Sequence, residues 1–376
     1  MKELTQLNFS NEDKFSIIVK NAAELTAAAT SKEFGRFGII ENVEMSNDKY
    51  QELNAKVKES VLCFAAEKAG ISVPTTATEM AFAMDNQMFK TVVNSVVART
   101  LGSVMATYRS PQIEKLAEID TVEVGGSKSY EVDTKLLPIA QKATYGSNVT
   151  MVPSYAKGSV IVTPKPYSIG ISLDAIRIIA DGYDFGKAIA RVHAGMLFAQ
   201  YKMIVSKVFD TTALTGTPFY QANFSPATYT QMASDIAMLA GVSIEDVTAY
   251  GSLMAWNALS ALATQGGFTT RDEYIRNAYL GKIYGVDSVV LSDITNYAAP
   301  FTNANADALR TIPSNLIVLI AGGDKPVKLV RENYVRIIET PETANTLNRR
   351  EYSYFQSFDA EIATPNYFGL QGTATA

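Results

Sequence analysis

One histidine, one cysteine, two glycine–lysine segments and a few paired carboxylates are the residues of this chain whose types could do chemistry. Any Ser-His-Asp or Cys-His triad would have to use His193. It follows Val192 in a stretch of helical apolar spacing and has no orienting group close by in sequence, so packing within a helix is its expected role. Cys63 lies in Val61-Leu62-Cys63-Phe64 and is expected as a buried small hydrophobe. A lone cysteine allows no intrachain disulfide and fits a reducing compartment. With one histidine and one cysteine the usual structural zinc sites cannot be built.

The segment Gly182-Tyr-Asp-Phe-Gly186-Lys187-Ala188 is one residue too short between its glycines for a phosphate loop, and no Ser or Thr follows Lys187 to hold magnesium. It is expected to be the turn that starts a helix. Gly322-Gly323-Asp324-Lys325-Pro326 lies between two apolar runs and is expected as a hairpin turn. Glu245-Asp246 and Asp272-Glu273 fall at helix ends, where acidic groups favour the helix dipole, so capping is expected rather than acid–base work. Asn148-Val149-Thr150 matches a glycosylation acceptor, which has no meaning without secretion. No catalytic residue, cofactor-binding residue or metal ligand is expected, and the chain is not expected to be an enzyme.

Bulk properties narrow the remaining classes. Net charge is −5 and no run of Lys and Arg is present, so direct recognition of nucleic acid, which needs clustered cations to neutralise phosphates, is not expected. Met1-Lys2-Glu3-Leu4-Thr5 and the polar residues after it do not resemble a secretory signal. The apolar run Leu316 to Ala321 is far short of the roughly 20 residues that cross a bilayer, so no membrane partner is expected. Only 19% of residues are charged, while 19 Tyr and 17 Phe are present, a balance that suits extensive subunit contact.

The elements that would hold these residues fall into three parts. Residues 1 to about 110 read as helices. The first follows Ser10-x-x-Asp13, with Phe15, Ile18, Val19 and Ala22 at helical spacing. The second covers Asn47 to Ala69 and is stopped by Gly70. The third is capped by Thr76-x-x-Glu79 and continues to a stop before Ser110-Pro111. Strand alternation then begins. A ribbon is expected with arms Thr121 to Val132 and Gly158 to Leu173, broken at Gly125-Gly126, its second arm irregular or on an edge because of Pro164 and Pro166. Such a ribbon would need a neighbouring molecule to cover it. A helix from Asp184 to Phe209, roughly 39 Å long, comes next, with Phe185, Ile189, Val192, Met196, Ala199 and Met203 on its face. After a turn-rich junction at 212–226, helices alternate with short apolar strands. The helices are Tyr229 to Ala240, bearing Met232, Ile236 and Leu239, and one capped by Ser252; another follows Thr270-x-x-Glu273. The strands are Val247 to Tyr250, Ser288 to Leu291, Leu316 to Ala321, Val327 to Val330 and Tyr334 to Ile338. This mixture suggests a central sheet covered by helices. The aromatic tail from Arg349 to Leu370 is expected to return to the sheet that holds the long helix.

This order of parts resembles the major capsid proteins of tailed bacteriophages, which share the Hong Kong 97-type fold. The phrase Gly281-Lys-Ile-Tyr-Gly285-Val-Asp-Ser-Val-Val-Leu-Ser292 is similar to that family's glycine turn into a buried strand, and Leu316 to Gly322, Lys328 to Val330 and Arg349-Arg350-Glu351-Tyr352 are similar to its closing region. The resemblance covers about residues 115 to 370 and rests on ordering more than on any one motif. It implies an α+β fold in five parts: an N-terminal helical arm at 1–118, an extended β-hairpin (the E-loop) at 119–174, a peripheral domain with a long spine helix at 175–224, an axial α/β domain at 225–332, and return strands of the peripheral domain at 333–376.

The function implied is self-assembly into pentamers and hexamers of an icosahedral head that encloses double-stranded DNA without sequence-specific binding. The partners would be the chain itself, a portal, and scaffolding or decoration proteins. Its place would be the virion, assembled in the host bacterial cytoplasm. In some relatives the N-terminal segment is a scaffolding region that is cut off, and in some Lys and Asn side chains link subunits. On the ribbon, Lys135, Lys142, Tyr145 and Tyr155 are the candidates for contact between subunits. Two alternatives stay open: an encapsulin-type bacterial compartment and a soluble α/β enzyme that would depend on His193.

Overall fold

The computed structural model describes residues 12–35, 43–107, 110–133, 157–173, 184–212, 214–263, 281–293, 310–323, 325–340, 350–363 and 368–375. Five helices come first: α1 (Glu12–Phe34), α2 (Asn47–Ala69), α3 (Ala77–Asp85), α4 (Gln87–Thr107) and α5 (Pro111–Leu116). Their ends follow local chemistry. The Ser46 side chain accepts the Lys49 N–H at the start of α2, and Gly70, at φ 67°, closes it by donating to Ala66 and Glu67. Thr76 and Glu79 form the expected capping box. The third helix, expected to be continuous, is instead broken at Asn86. Its Oδ1 accepts from Met88 N (2.9 Å) and Phe89 N (3.3 Å), so the side chain competes for backbone donors and restarts the helix as α4.

The resemblance implied an N-terminal helical arm at 1–118; the described helices of that segment pack on the body. Ala22, Leu25, Ala28 and Ala29 of α1 are buried, and α1 contacts α4, α2 and the long helix α6 (Phe185–Val208). Small residues let the helices approach closely. Thr26 and Thr30 are also buried, and their hydroxyls donate to the carbonyls of Ala22 and Thr26 at 2.7 Å each, so burial leaves neither hydroxyl unpaired. Cys63 is exposed, against expectation. The inward face of α2 is Tyr50, Asn54, Val57, Val61, Phe64, Ala65 and Ala66, and Cys63 falls outside that stripe.

The long helix lies within one residue of its expected ends, with Asp184 as N-cap and Phe209 as C-cap. It is buried on more than the single predicted face. Ala190, His193, Ala194, Leu197 and Tyr201 are covered as well as Ile189, Val192 and Met196, because the N-terminal helices and a sheet enclose it from different sides.

That sheet has the order β1 (Ala117–Val122), β10 (Val327–Thr340), β11 (Arg350–Ile362), β4 (Lys165–Leu173). β1 runs parallel to β10, and the other two pairs are antiparallel. The expected pair of strands Val327 to Val330 and Tyr334 to Ile338 is one 14-residue strand, bulged between Arg331 and Val335. β4, which Pro166 was expected to leave irregular or on an edge, is an edge strand among the described residues.

The expected ribbon is shorter than its two arms. Thr121 and Val122 belong to β1 and Lys165 onward to β4, leaving β2 (Lys128–Asp133) and β3 (Lys157–Val162) as a two-stranded sheet of its own. Gly125, at φ 77°, makes the expected bend ahead of β2.

The second sheet has the order β5 (Tyr220–Phe224), β12 (Phe368–Thr375), β9 (Leu316–Ala321), β6 (Val247–Gly251), β8 (Val286–Val290), β7 (Lys282–Ile283). It packs against α7 (Pro226–Ala240) and α8 (Leu253–Ala263). On α7 the buried face is Tyr229, Met232, Ala233, Ile236, Ala237 and Ala240, so Leu239 falls off it. Ser252 caps α8 as expected, accepting the Ala255 N–H at 3.2 Å. The β7–β8 turn is the expected tight one, Tyr284 at φ 47° and Gly285 at φ 87°.

Two expectations at the C-terminal end fail for one reason. Gly322-Gly323 is not a hairpin turn, because β9 and β10 lie in different sheets and the segment crosses between them. The tail divides likewise: β11 returns to the sheet of the long helix, but β12 goes to the second sheet between β5 and β9. Gly369 explains the fit there, since a Cβ would stand 2.6 Å from Met232 Sδ on α7. One connected apolar core runs from the N-terminal helices through α6 to both sheets.

Candidate assembly surface

His193 is fully buried in α6, with Nδ1 3.3 Å from Thr30 Oγ1 of α1. Burial, reinforced by the charge of Arg331, pushes its pKa down to about 3, so the ring is neutral near pH 7. It is a packed seam residue. Asp184 does two jobs at the start of α6: its Oδ1 accepts the Lys187 N–H at 3.2 Å and the Tyr50 hydroxyl at 2.6 Å. The lysine of the glycine–lysine segment therefore sits in a capped first turn, and its Nζ is 3.7 Å from Glu33. Asp246 reaches back to Ser243 N at 3.2 Å, the expected capping role. Among the described residues no group of His, Cys, Asp or Glu could hold a metal ion, and no helix is long and apolar enough to cross a membrane.

The ribbon stem has two unlike faces. The register pairs Lys128 with Val162, Tyr130 with Val160 and Val132 with Gly158 on one face, and Ser129 with Ile161 and Glu131 with Ser159 on the other. The first face leans on the chain's own body. Val162 is buried at the root, and Tyr130 is partly covered. The second face is open: Ile161 is 62% exposed, and Ser129, Glu131 and Ser159 are exposed around it. A ribbon of alternating residues whose apolar side needs a neighbour's cover was expected; the described stem shelters one side itself and presents a mostly polar side with one isoleucine.

Side chains of β1 and β10 hold the root. The Tyr130 hydroxyl donates to Asp120 Oδ2, Lys128 Nζ is 2.6 Å from Asp120 Oδ1, and Lys328 pairs with Glu118. The ammonium groups of Lys128 and Lys328 lie 5.4 and 5.8 Å from the Tyr130 ring centroid. The Gly125 N–H at the bend donates to Glu332 Oε1 at 2.9 Å. Burial raises the pKa of Asp120, but hydrogen bonds from Lys128 and Tyr130 and the charges of Lys128 and Lys328 outweigh it, so the carboxyl sits below its usual range. Burial, then the hydrogen bond to Asp120, raises the Tyr130 phenol.

The second-sheet unit also carries exposed apolar side chains: Met238, Ile244, Leu253, Met254 and Tyr284 are each more than a third exposed. The contact candidates Lys135, Lys142, Tyr145 and Tyr155 lie outside the described residues. Sequence reasoning missed Glu118, Asp120 and Lys328. A signal was there, since Ala117-Glu118-Ile119-Asp120 already alternates ahead of the expected strand start at Thr121.

Residues 45–371 match the family described as "SPbeta prophage-derived putative capsid protein YonB", and the chain belongs to that family of capsid proteins. No curated protein sequence matches it. Similar solved structures include the capsid of the cyanophage P-SCSP1u, at 11% identity, TM-score 0.45, covering 70% of this chain and 88% of that one. The capsid of the native GTA particle has 10% identity and a TM-score of 0.47, covering 70% and 90%. A virus-like particle from Pyrococcus furiosus has 11% identity and a TM-score of 0.40, covering 73% and 97%.

Proposed function

We propose that this chain is the shell-forming subunit of a phage-type icosahedral head of the Hong Kong 97 kind, assembling through many copies of itself around double-stranded DNA. The family match across residues 45–371 carries this conclusion. The order of parts supports it: a separate two-stranded ribbon, a long enclosed helix, a sheet unit inserted after that helix, and strands that return to both sheets. The ribbon would act as the E-loop (119–174), α6 as the spine helix of a peripheral domain (175–224), and the second sheet with α7 and α8 as the axial domain (225–332). The remaining strands (333–376) would be shared between the two, and the helices up to residue 118 would form part of the peripheral body.

Physical considerations favour the same role. A protomer with an open, mostly polar ribbon face around Ile161 and exposed apolar side chains on the sheet unit offers distinct regions for heterologous contact, and such contacts close into rings when the rotation permits. Each contact can be modest, because copies held in a ring face one another at high effective concentration. A net charge of −5 suits a container that does not condense its contents. Lys135, Lys142, Tyr145 and Tyr155 would meet neighbouring subunits, and a portal and scaffolding or decoration proteins would be the further partners.

Electron microscopy and sedimentation of the purified chain test this. Closed shells of uniform diameter are expected, and particles from an infection should protect DNA from nuclease. A chain that stays monomeric at high concentration under assembly conditions would overturn the proposal, and shells packed with a cargo enzyme in place of DNA would redirect it to a bacterial compartment.

A further inference from the structure

The ribbon belongs to neither body sheet among the described residues. Both of its connections to the body interrupt the strands: Gly125 at φ 77° on one side, and Thr163-Pro164, outside any strand, on the other. A two-stranded ribbon with no ladder to a third strand has little independent stability, and its direction is not set by main-chain pairing. Something else has to set it.

The side chains at the root are suited to do so. β1 presents Glu118 and Asp120 on one face, at alternate positions, while Ile119 between them packs against the core. Asp120 accepts from Tyr130 and pairs with Lys128, two residues that share the inward face of β2. Lys328 stands directly across from Glu118 in the β1–β10 register and pairs with it. Its own side chain is almost fully covered, at 8% exposure, and its ammonium lies under the Tyr130 ring. The Tyr130 ring thus has a cation near it from the ribbon and one from the body, and its hydroxyl is tied to the carboxylate between them. Coupled hydrogen bonds and ion pairs of this kind define an angle more sharply than apolar contact, because they are directional.

We propose that Tyr130, Asp120 and Lys128, braced by Lys328 and Glu118, are positioning residues that set the angle at which the ribbon leaves the body, and through it the geometry of contact with a second copy of this chain. This rests on the capsid function proposed above. The cluster joins groups on β1, β2 and β10, so it couples ribbon direction to the sheet that packs on α6.

Three variants test it: Tyr130→Phe, Asp120→Asn and the conservative Asp120→Glu. In the full-length chain, hydrogen–deuterium exchange in 128–133 and 157–162 is expected to speed up at least tenfold in Tyr130→Phe and Asp120→Asn, with exchange in α6 unchanged and most of the protection restored in Asp120→Glu. Under assembly conditions the first two should give shells of mixed diameter or open sheets, where the wild-type chain gives one size. Unchanged ribbon exchange together with wild-type shells would overturn the proposal. So would loss of protection spread equally over α6, which marks a merely structural residue. Should Asp120→Asn fail to fold, Tyr130→Phe, which removes one hydroxyl, decides alone. Should the wild-type chain never assemble, the capsid function falls, and the exchange data still judge the clamp.

Discussion

The seam between α1 and α6 and the root of the ribbon are both places where one part of the chain meets another, and they are built from opposite materials. At the seam, Leu25, Ala22, Ile189 and Leu197 are sealed from water and the buried polar groups are neutral, two threonine hydroxyls bonded to carbonyls and an uncharged imidazole, with the Lys187–Glu33 ion pair confined to its partly exposed end. At the root, ion pairs do the holding, each joining a solvated member to a largely covered one: Lys128 at 42% exposure with Asp120 at 21%, and Glu118 at 49% with Lys328 at 8%. Burying apolar surface is worth much and is indifferent to angle. Partly solvated charge pairs are worth little but prefer one geometry. The contrast teaches that the long helix is held by burial, while the ribbon's direction is set by a few directional contacts of small energy.

The largest effect that would break this contrast lies in the seam. Leu25→Ala removes a fully buried side chain and should cost roughly 2–5 kcal/mol in denaturant unfolding, with ribbon exchange following the global loss. Acid attacks the same seam through His193. The folded-state pKa of about 3 is below the ordinary value of 6.5, so the stability that depends on a neutral ring is full above pH 6.5 and is lost as pH falls toward 3. By pH 4 the loss should reach about 3 kcal/mol, and a His193→Gln chain should have a flatter pH–stability curve. Equal slopes for the two proteins would show that another group controls acid sensitivity.

Gly186 is next in size. A Cβ there would stand 2.8 Å from Leu25 Cγ and from the Tyr50 hydroxyl oxygen, where the N-terminal helices close on the first turn of α6. Gly186→Ala gains up to about 1 kcal/mol of helix propensity but must push both neighbours aside, and a net loss of about 1–2 kcal/mol is expected from thermal melts. The smallest effect on stability belongs to the ribbon. Tyr130→Phe should change global unfolding by about 1 kcal/mol or less while altering ribbon exchange and shell regularity. A large global loss in that variant would erase the distinction between seam and root.

Local signals were legible along most of the chain. The ends of α2, the Thr76–Glu79 box, Asp184 at the head of α6, the Tyr284-Gly285 turn and the limits of β9 follow from capping chemistry, positive-φ glycine and apolar runs, all of which act over a few residues. The break at Asn86 was readable in principle, since an asparagine side chain competes for the helix's own donors. The exposure of Cys63 was also within reach, had the α2 stripe been followed to its end. Of the assembly surface, the ribbon strands were visible as alternation, and the long helix as a period of three and four.

What the sequence determined by itself was thus the kind and extent of the elements, because helix caps, turns and periodicity are short-range and each residue carries its own share. The tertiary structure alone decided which sheet each strand joins: β1 beside β10, β12 in the second sheet, and, among the described residues, the ribbon in neither. It alone placed Lys328 opposite Glu118 across a sequence separation of 210 residues. Strand partners are chosen by the global fit of buried faces and by close approaches such as Gly369 against Met232, and no local pattern contains that information.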